Sequence, residues 1–80
     1  MRIMQVNVII FGQLTDITGS NTIIINGVED TDKLIRQLHA SYPALADFPY
    51  LIAVEKEIVS SNTLLNDNCT VALLPPYAGG

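Results

Sequence analysis

Eighty residues with one cysteine, Cys69, and a formal charge of −4 bound the chain to one small domain without an internal disulfide. The four basic residues, Arg2, Lys33, Arg36 and Lys56, are scattered, so the clustered cations needed to displace counterions from nucleic acid are missing. A hydrophobic fraction of 49% suffices for one core, and the opening "MRIMQVNVII" is too short and too alternating for a signal peptide or membrane span; a reducing, cytoplasmic setting is expected.

Met4 to Phe11, "MQVNVIIF", alternates as a strand, with Val6, Val8 and Ile10 on one face and Gln5, Asn7, Ile9 and Phe11 on the other. "GQLTDITGSN" is a turn-rich connection bounded by Gly12 and Gly19, with room for one helical turn. The β-branched "TIIIN", Thr22 to Asn26, is a second strand, expected to pair with the first as a hairpin. In "EDTDKLIRQLHASYP" Thr31 is the expected N-cap, with Asp32 favourable against the helix dipole. Leu34, Leu38 and Tyr42 recur at helical spacing with Ile35 beside them, and Pro43 stops the helix. After a loop, "PALADFP", the run "YLIAVEKEIV" reads as two short strands turning near Glu55 and Lys56. "SSNTLLNDN" reads as loop, and "CTVALL", Cys69 to Leu74, is the last strand, closed by Pro75 and Pro76.

The order β β α β β β makes an α+β domain: a mixed sheet of four to five strands with one main helix packed across one face, the other face open. Connection rules favour the first and last strands side by side in the middle of the sheet.

No catalytic constellation emerges. His39 is the single histidine, one step off the helical core stripe, and reads as a surface or satisfied half-buried residue. Cys69 has no neighbouring cation in sequence to lower its pKa and reads as structural. Neither CxxC nor HxxxH occurs, so no metal site is expected. "FGQLTDITG" lacks the Lys-Ser/Thr of a phosphate loop, and Glu29, Asp30 and Asp32 are most simply a helix start.

Two features exceed a bland domain. If Val6, Val8, Ile10, Val71 and Leu73 point into the core, alternation turns Ile9, Phe11, Ala72 and Leu74 outward into one apolar patch, the pattern of a docking surface. The second is the ending "VALLPPYAGG". Pro75 and Pro76 terminate the strand in extended geometry, and Gly79 and Gly80 carry no side chain, so they can thread a narrow cleft. Residues 75–80 would form a flexible tail on a domain of residues 1–74, with a reach of about 20 Å if fully extended. The tail would then present a bare carboxylate, a group inert towards substitution until an enzyme activates it with ATP.

These residues resemble the MoaD/ThiS family of small sulfur carriers, which have the ubiquitin-like β-grasp fold, and within it most closely the molybdopterin synthase branch. "VIIFGQLTDITG" looks like the family's opening strand and loop, "TDKLIRQL" its capped helix, "AVEKEIV" its central hairpin, and "LLNDNCTVALLPPYAGG" its closing segment. The specific part is an apolar strand, Pro-Pro, two variable residues and Gly-Gly. The resemblance implies that Gly80 is adenylated by an E1-like activating enzyme using ATP, then converted to a thiocarboxylate with sulfur from a persulfide donor. It further implies docking on a molybdopterin synthase large subunit through the Phe11 and Leu74 face. Pro75, Pro76, Tyr77, Ala78, Gly79 and Gly80 would enter the partner's active site, in a heterotetramer that delivers two sulfurs to a cyclic pyranopterin precursor. No cofactor is expected on the carrier itself, and the catalytic acids, bases and lysines would belong to the large subunit.

Two departures stand out. The family's central hairpin often turns on Asn-Gly, whereas Glu55-Lys56 stands here, so another turn type or a longer turn is expected. Asn68-Cys69 replaces the usual Gly-Asp before the last strand; Asn tolerates left-handed geometry. Met4 also begins a family-length chain, so residues 1–3 are expected to be dispensable. Three other readings remain beside the first: a thiamine-type sulfur carrier, a ubiquitin-like modifier joined through Gly80 to a lysine, and an interaction module whose Gly-Gly is incidental.

Overall fold

The structure, a computed structural model, describes residues 4–76. The strands are β1 (Gln5–Ile10), β2 (Thr22–Asn26), β3 (Leu51–Val54), β4 (Glu57–Val59) and β5 (Cys69–Leu74), with helices α1 (Thr15–Thr18) and α2 (Thr31–Ser41). They form a five-stranded sheet in the order β2-β1-β5-β3-β4. β1 and β2 are an antiparallel hairpin, as the turn-rich connection implies, and β1 and β5 run parallel at the centre. β3 pairs antiparallel with both β5 and β4, which makes the sheet mixed. This is the α+β, β-grasp arrangement expected from the sequence.

Register fixes the faces, because residues directly opposite across a ladder share one side of the sheet. Val6 pairs with Cys69, Val8 with Val71 and Ile10 with Leu73, and all six are buried. Ile25 pairs with Val6 and Ile52 with Leu73, which extends this face to both flanking strands. Leu34 and Leu38, one helical turn apart on α2, are fully buried in the same cluster, while Ile35 and Tyr42 pack at its margin. Alternation along the strands and 3.6-residue periodicity along the helix therefore meet in one core.

Four local readings are corrected. The N-cap of α2 is Asp30, whose carboxylate accepts from the Lys33 N–H at 2.9 Å. Thr31 is 3% exposed instead, its hydroxyl donating to Asn62 Oδ1 and accepting from the Thr63 N–H, so it ties the helix start to the 61–65 segment. The Glu55-Lys56 turn is neither longer nor of another type. Val54 pairs with Glu57, leaving a two-residue loop, and Glu55 (φ 49°) and Lys56 (φ 72°) both take the left-handed values that Asn-Gly would supply. "PALADFP" contains a short 3₁₀ helix, Pro43–Asp47, that buries Leu45 completely. "SSNTLLNDN" is anchored as well: Leu65 is buried, its N–H donating to Glu29 O, and Leu64 bridges Asp30. Asn68 is left-handed at φ 64°, as its residue type allows.

Candidate functional site

The face of the sheet opposite α2 carries the candidate residues. Ile9 on β1 lies directly opposite Ala72 on β5, Ala72 opposite Ala53 on β3, and Ala53 opposite Ile58 on β4. This row crosses four strands without a polar residue. A second row lies one step toward the end of β5. Leu74 pairs with Leu51, and Phe11 continues β1 past the Ile10–Leu73 pair, its N–H donating to Leu73 O at 3.1 Å. Phe11 keeps extended backbone (φ −113°, ψ 152°), so the alternation carries its ring outward.

The structure thus brings together the four residues expected there, Ile9, Phe11, Ala72 and Leu74. Phe11 is 45% exposed, while Ile9, Ala72 and Leu74 are half-buried by their neighbours on the sheet. Sequence reasoning missed the other half of the patch, Leu51 at 38% and Ile58 at 62% exposure. Alternation from Ile52 and Val54 would have turned Leu51 and Ala53 outward. Ile58 needed the hairpin register as well. Ile24 on β2, opposite Asn7 of β1, is exposed on the same side but separated from the patch by that asparagine.

The described part of the tail starts where the second row ends. Pro75 and Pro76 are half-buried and line a groove of about 240 Å³ with Gln13, Leu14, Phe48 and Pro49. Tyr77, Ala78, Gly79 and Gly80, four of the expected site residues, lie outside the described residues. Because β5 is central and parallel to β1, Pro75 leaves from the middle of the sheet's edge, beside the apolar rows.

The remaining polar candidates are accounted for by structure. His39 Nε2 meets the Tyr50 hydroxyl at 2.7 Å, with the rings edge to face, and burial pushes the Tyr50 phenol up. Burial likewise pushes the Cys69 thiol up, the opposite of what a reactive thiol needs. Among the described residues no group of three or more His, Cys, Asp or Glu is placed to hold a metal, and no helix is long and apolar enough to cross a membrane. The described site therefore offers an apolar surface and an exit for the chain, with no acid–base pair beside them.

Comparison with known proteins agrees with this geometry. The family model for the ThiS family matches residues 8–80. The chain belongs to that family. A molybdopterin synthase sulfur carrier subunit of Mycobacterium tuberculosis (strain ATCC 25618 / H37Rv) is 33% identical over 82 residues, covering 96% of this chain and 99% of the relative. The solution structure of small archaeal modifier protein 1 from Methanosarcina acetivorans superposes with a TM-score of 0.80 at 22% identity and full coverage of both chains. The crystal structure of the Haloferax volcanii small archaeal modifier protein 1 gives 0.80 at 19% identity, covering 92% of this chain and 99% of that one. At such identities the two structures establish the shared β-grasp fold. As a ThiS/MoaD family member, the chain is a ubiquitin-like sulfur carrier by family.

Proposed function

We propose that the chain is the sulfur-carrier small subunit of a molybdopterin synthase and that the main-chain carboxylate of Gly80 is the group that carries the sulfur. The observation that carries this reading is the position of the tail root: Pro75 leaves the central strand directly beside the apolar rows of Phe11, Leu74, Ile9 and Ala72. Docking through that face would place residues 75–80 in a partner's cavity, and the relative's near full-length match favours the molybdopterin pathway over the thiamine type.

The chemistry needs no side chain of this protein. The Gly80 carboxylate oxygen attacks the α-phosphorus of ATP on an E1-like enzyme, expelling pyrophosphate and forming an acyl adenylate. A persulfide donor's terminal sulfur attacks the acyl carbon and expels AMP. A second thiol then cleaves the S–S bond, taking the donor sulfur as a disulfide and leaving the thiocarboxylate. Inserted in the large subunit, that sulfur attacks a carbon of the cyclic pyranopterin precursor and displaces the oxygen substituent it carries. Water then hydrolyses the resulting thioester, returning Gly80 as a carboxylate and leaving the sulfur on the pterin. Two carriers acting in turn would supply the two sulfurs of the dithiolene. The carrier's contribution is proximity, worth about 7–11 kcal/mol at best when the reacting atoms are held in line. Gly79 and Gly80 suit this because they add no side chain to the cavity.

Intact-mass measurement after incubation with an adenylating enzyme, ATP and a persulfide donor tests the reading. Replacement of one carboxylate oxygen by sulfur is the expected result, and a further residue appended to Gly80 should prevent it. Conjugates on other proteins without sulfur gain would favour a modifier. No change with an enzyme competent on a control carrier would overturn both.

A further inference from the structure

Gly12 is a part of the molecule that the carrier chemistry does not use. It opens the 3₁₀ turn Gly12–Leu14 with φ +62°, and its carbonyl is held twice by Thr15, by the backbone N–H and by the side-chain hydroxyl at 2.8 Å. A Cβ built on Gly12 would stand 2.7 Å from Pro75 Cγ, closer than real side chains approach. The bare α-carbon is therefore the surface against which the first tail proline rests. Gly19 (φ +73°) and Gly27 (φ +79°) have the same left-handed backbone with nothing within 4 Å of such a Cβ. In those two the backbone angle alone calls for glycine; in Gly12 the contact with Pro75 adds a second demand.

We infer that Gly12 is a positioning residue for the tail: with Thr15 fixing its loop, it seats Pro75 and sets the direction in which the chain leaves the sheet at Pro75 and Pro76. The inference rests on the sulfur-carrier reading for its consequence and on the Gly12–Pro75 contact for its geometry. A pyrrolidine ring cannot swing away as a long side chain can, because its φ is locked. The Gly12 loop is tied at its carbonyl. A methyl at position 12 must therefore shift Pro75, its ring or the main chain that carries it, and with it the course on which the chain leaves the sheet. Docking through Phe11 and Leu74 would be spared while delivery of the terminal carboxylate suffers.

The test compares Gly12→Ala with Gly19→Ala, which imposes similar backbone strain without the collision, and adds Pro75→Ala and the Gly12→Ala/Pro75→Ala double variant. Each is assayed with an adenylating enzyme and a molybdopterin synthase large subunit for affinity and for the rate of sulfur transfer at saturating partner. The expected result is a rate loss of about tenfold for Gly12→Ala, affinity unchanged within about twofold, and Gly19→Ala at the wild-type rate. In the Pro75→Ala background the cost of Gly12→Ala should shrink, because the colliding atom is gone. Equal rates for Gly12→Ala and Gly19→Ala, or additive losses in the double variant, would overturn the inference. Amide chemical shifts of Tyr77 and Ala78 decide it without any partner: they should move in Gly12→Ala and stay in Gly19→Ala. If the wild-type chain takes no sulfur, the proposed function fails while those shifts still judge the seat. Should Gly12→Ala not fold, a Pro75→Ala variant with wild-type Tyr77 and Ala78 shifts and an unchanged rate overturns it.

Discussion

The two faces of the central strand pair are built from equally apolar residues and have opposite fates. On one side Val6, Val8, Ile10, Val71 and Leu73 are sealed beneath Leu34 and Leu38 of α2. On the other, Ile9, Phe11, Ala72 and Leu74 continue into Leu51 and Ile58 with no helix of the described residues over them. Among the described residues only α2 is long enough to cover a sheet face, so the second face is left uncovered. Hydrophobicity alone does not separate the covered face from the open one here; the placement of the long helix does.

The comparison breaks most readily on the sealed side. Leu34→Ala removes a fully buried side chain from the helix that closes the core, and should cost about 2–5 kcal/mol in urea unfolding. That is a large part of the about 5–15 kcal/mol that holds a typical domain together. Phe11→Asp on the open side should do the reverse: stability nearly unchanged, and affinity for a molybdopterin synthase large subunit reduced at least about tenfold, because a buried unpaired carboxylate is strongly disfavoured at an apolar interface. Titration calorimetry beside a urea melt separates the two effects. A Phe11→Asp chain that unfolds, or that binds as tightly as the wild type, removes the distinction between the faces.

Most of this was legible in the sequence because strand alternation is a local signal. The six residues of β1 and the six of β5 each alternate buried and half-buried without exception, so both faces of the central pair follow from reading either run. Leu45 and Leu65 were not legible: each stands in a segment without periodicity beside apolar residues that stay exposed (Phe48 and Leu64), and is buried by where the chain happens to pass over the core. Ile58 depended on a register that only the Glu55-Lys56 turn defines. Gly12 gave a partial signal, since glycine after a strand marks a turn, but its contact with Pro75 joins positions 63 residues apart (75 − 12) and no local pattern contains it.

The hairpin that carries Ile58 sharpens the comparison at smaller cost. Lys56 holds φ 72° without being glycine, a conformation that disfavours side chains by about 1–2 kcal/mol. Lys56→Gly should relieve part of that strain and, after the extra backbone entropy of glycine, raise stability by about 0.5–1 kcal/mol. Glu55 is better left in place, because its carboxylate accepts from the Thr70 N–H at 3.2 Å and its own N–H donates to Thr70 O. A raised urea midpoint with unchanged docking would show that the turn supports the open face without belonging to the contact. A lowered midpoint would mean that Lys56 holds the turn through its side chain.

The smallest effect lies on the sealed side, at the start of α2. The Lys33 N–H bonded to Asp30 holds its carboxyl below the ordinary value of 3.8 against the opposing effect of desolvation, and the Asn62 side chain and the Lys33 and Arg36 charges add in the same lowering sense. A carboxylate whose folded pKa lies below its unfolded one adds stability that is complete above the unfolded value and disappears as pH falls through the folded value. Asp30→Asn keeps an acceptor at the cap and removes the titration. The difference in urea midpoint between wild type and Asp30→Asn should therefore be constant from pH 7 to about pH 5 and shrink as pH falls below about 4. Added salt should reduce it further, since the group is partly open to solvent. Affinity at the open face should not follow this change, because Asp30 stands on the helix side of the sheet. A pH-dependent affinity that vanishes in Asp30→Asn would show that the two faces are coupled through the helix start, and the independence argued for them would be lost.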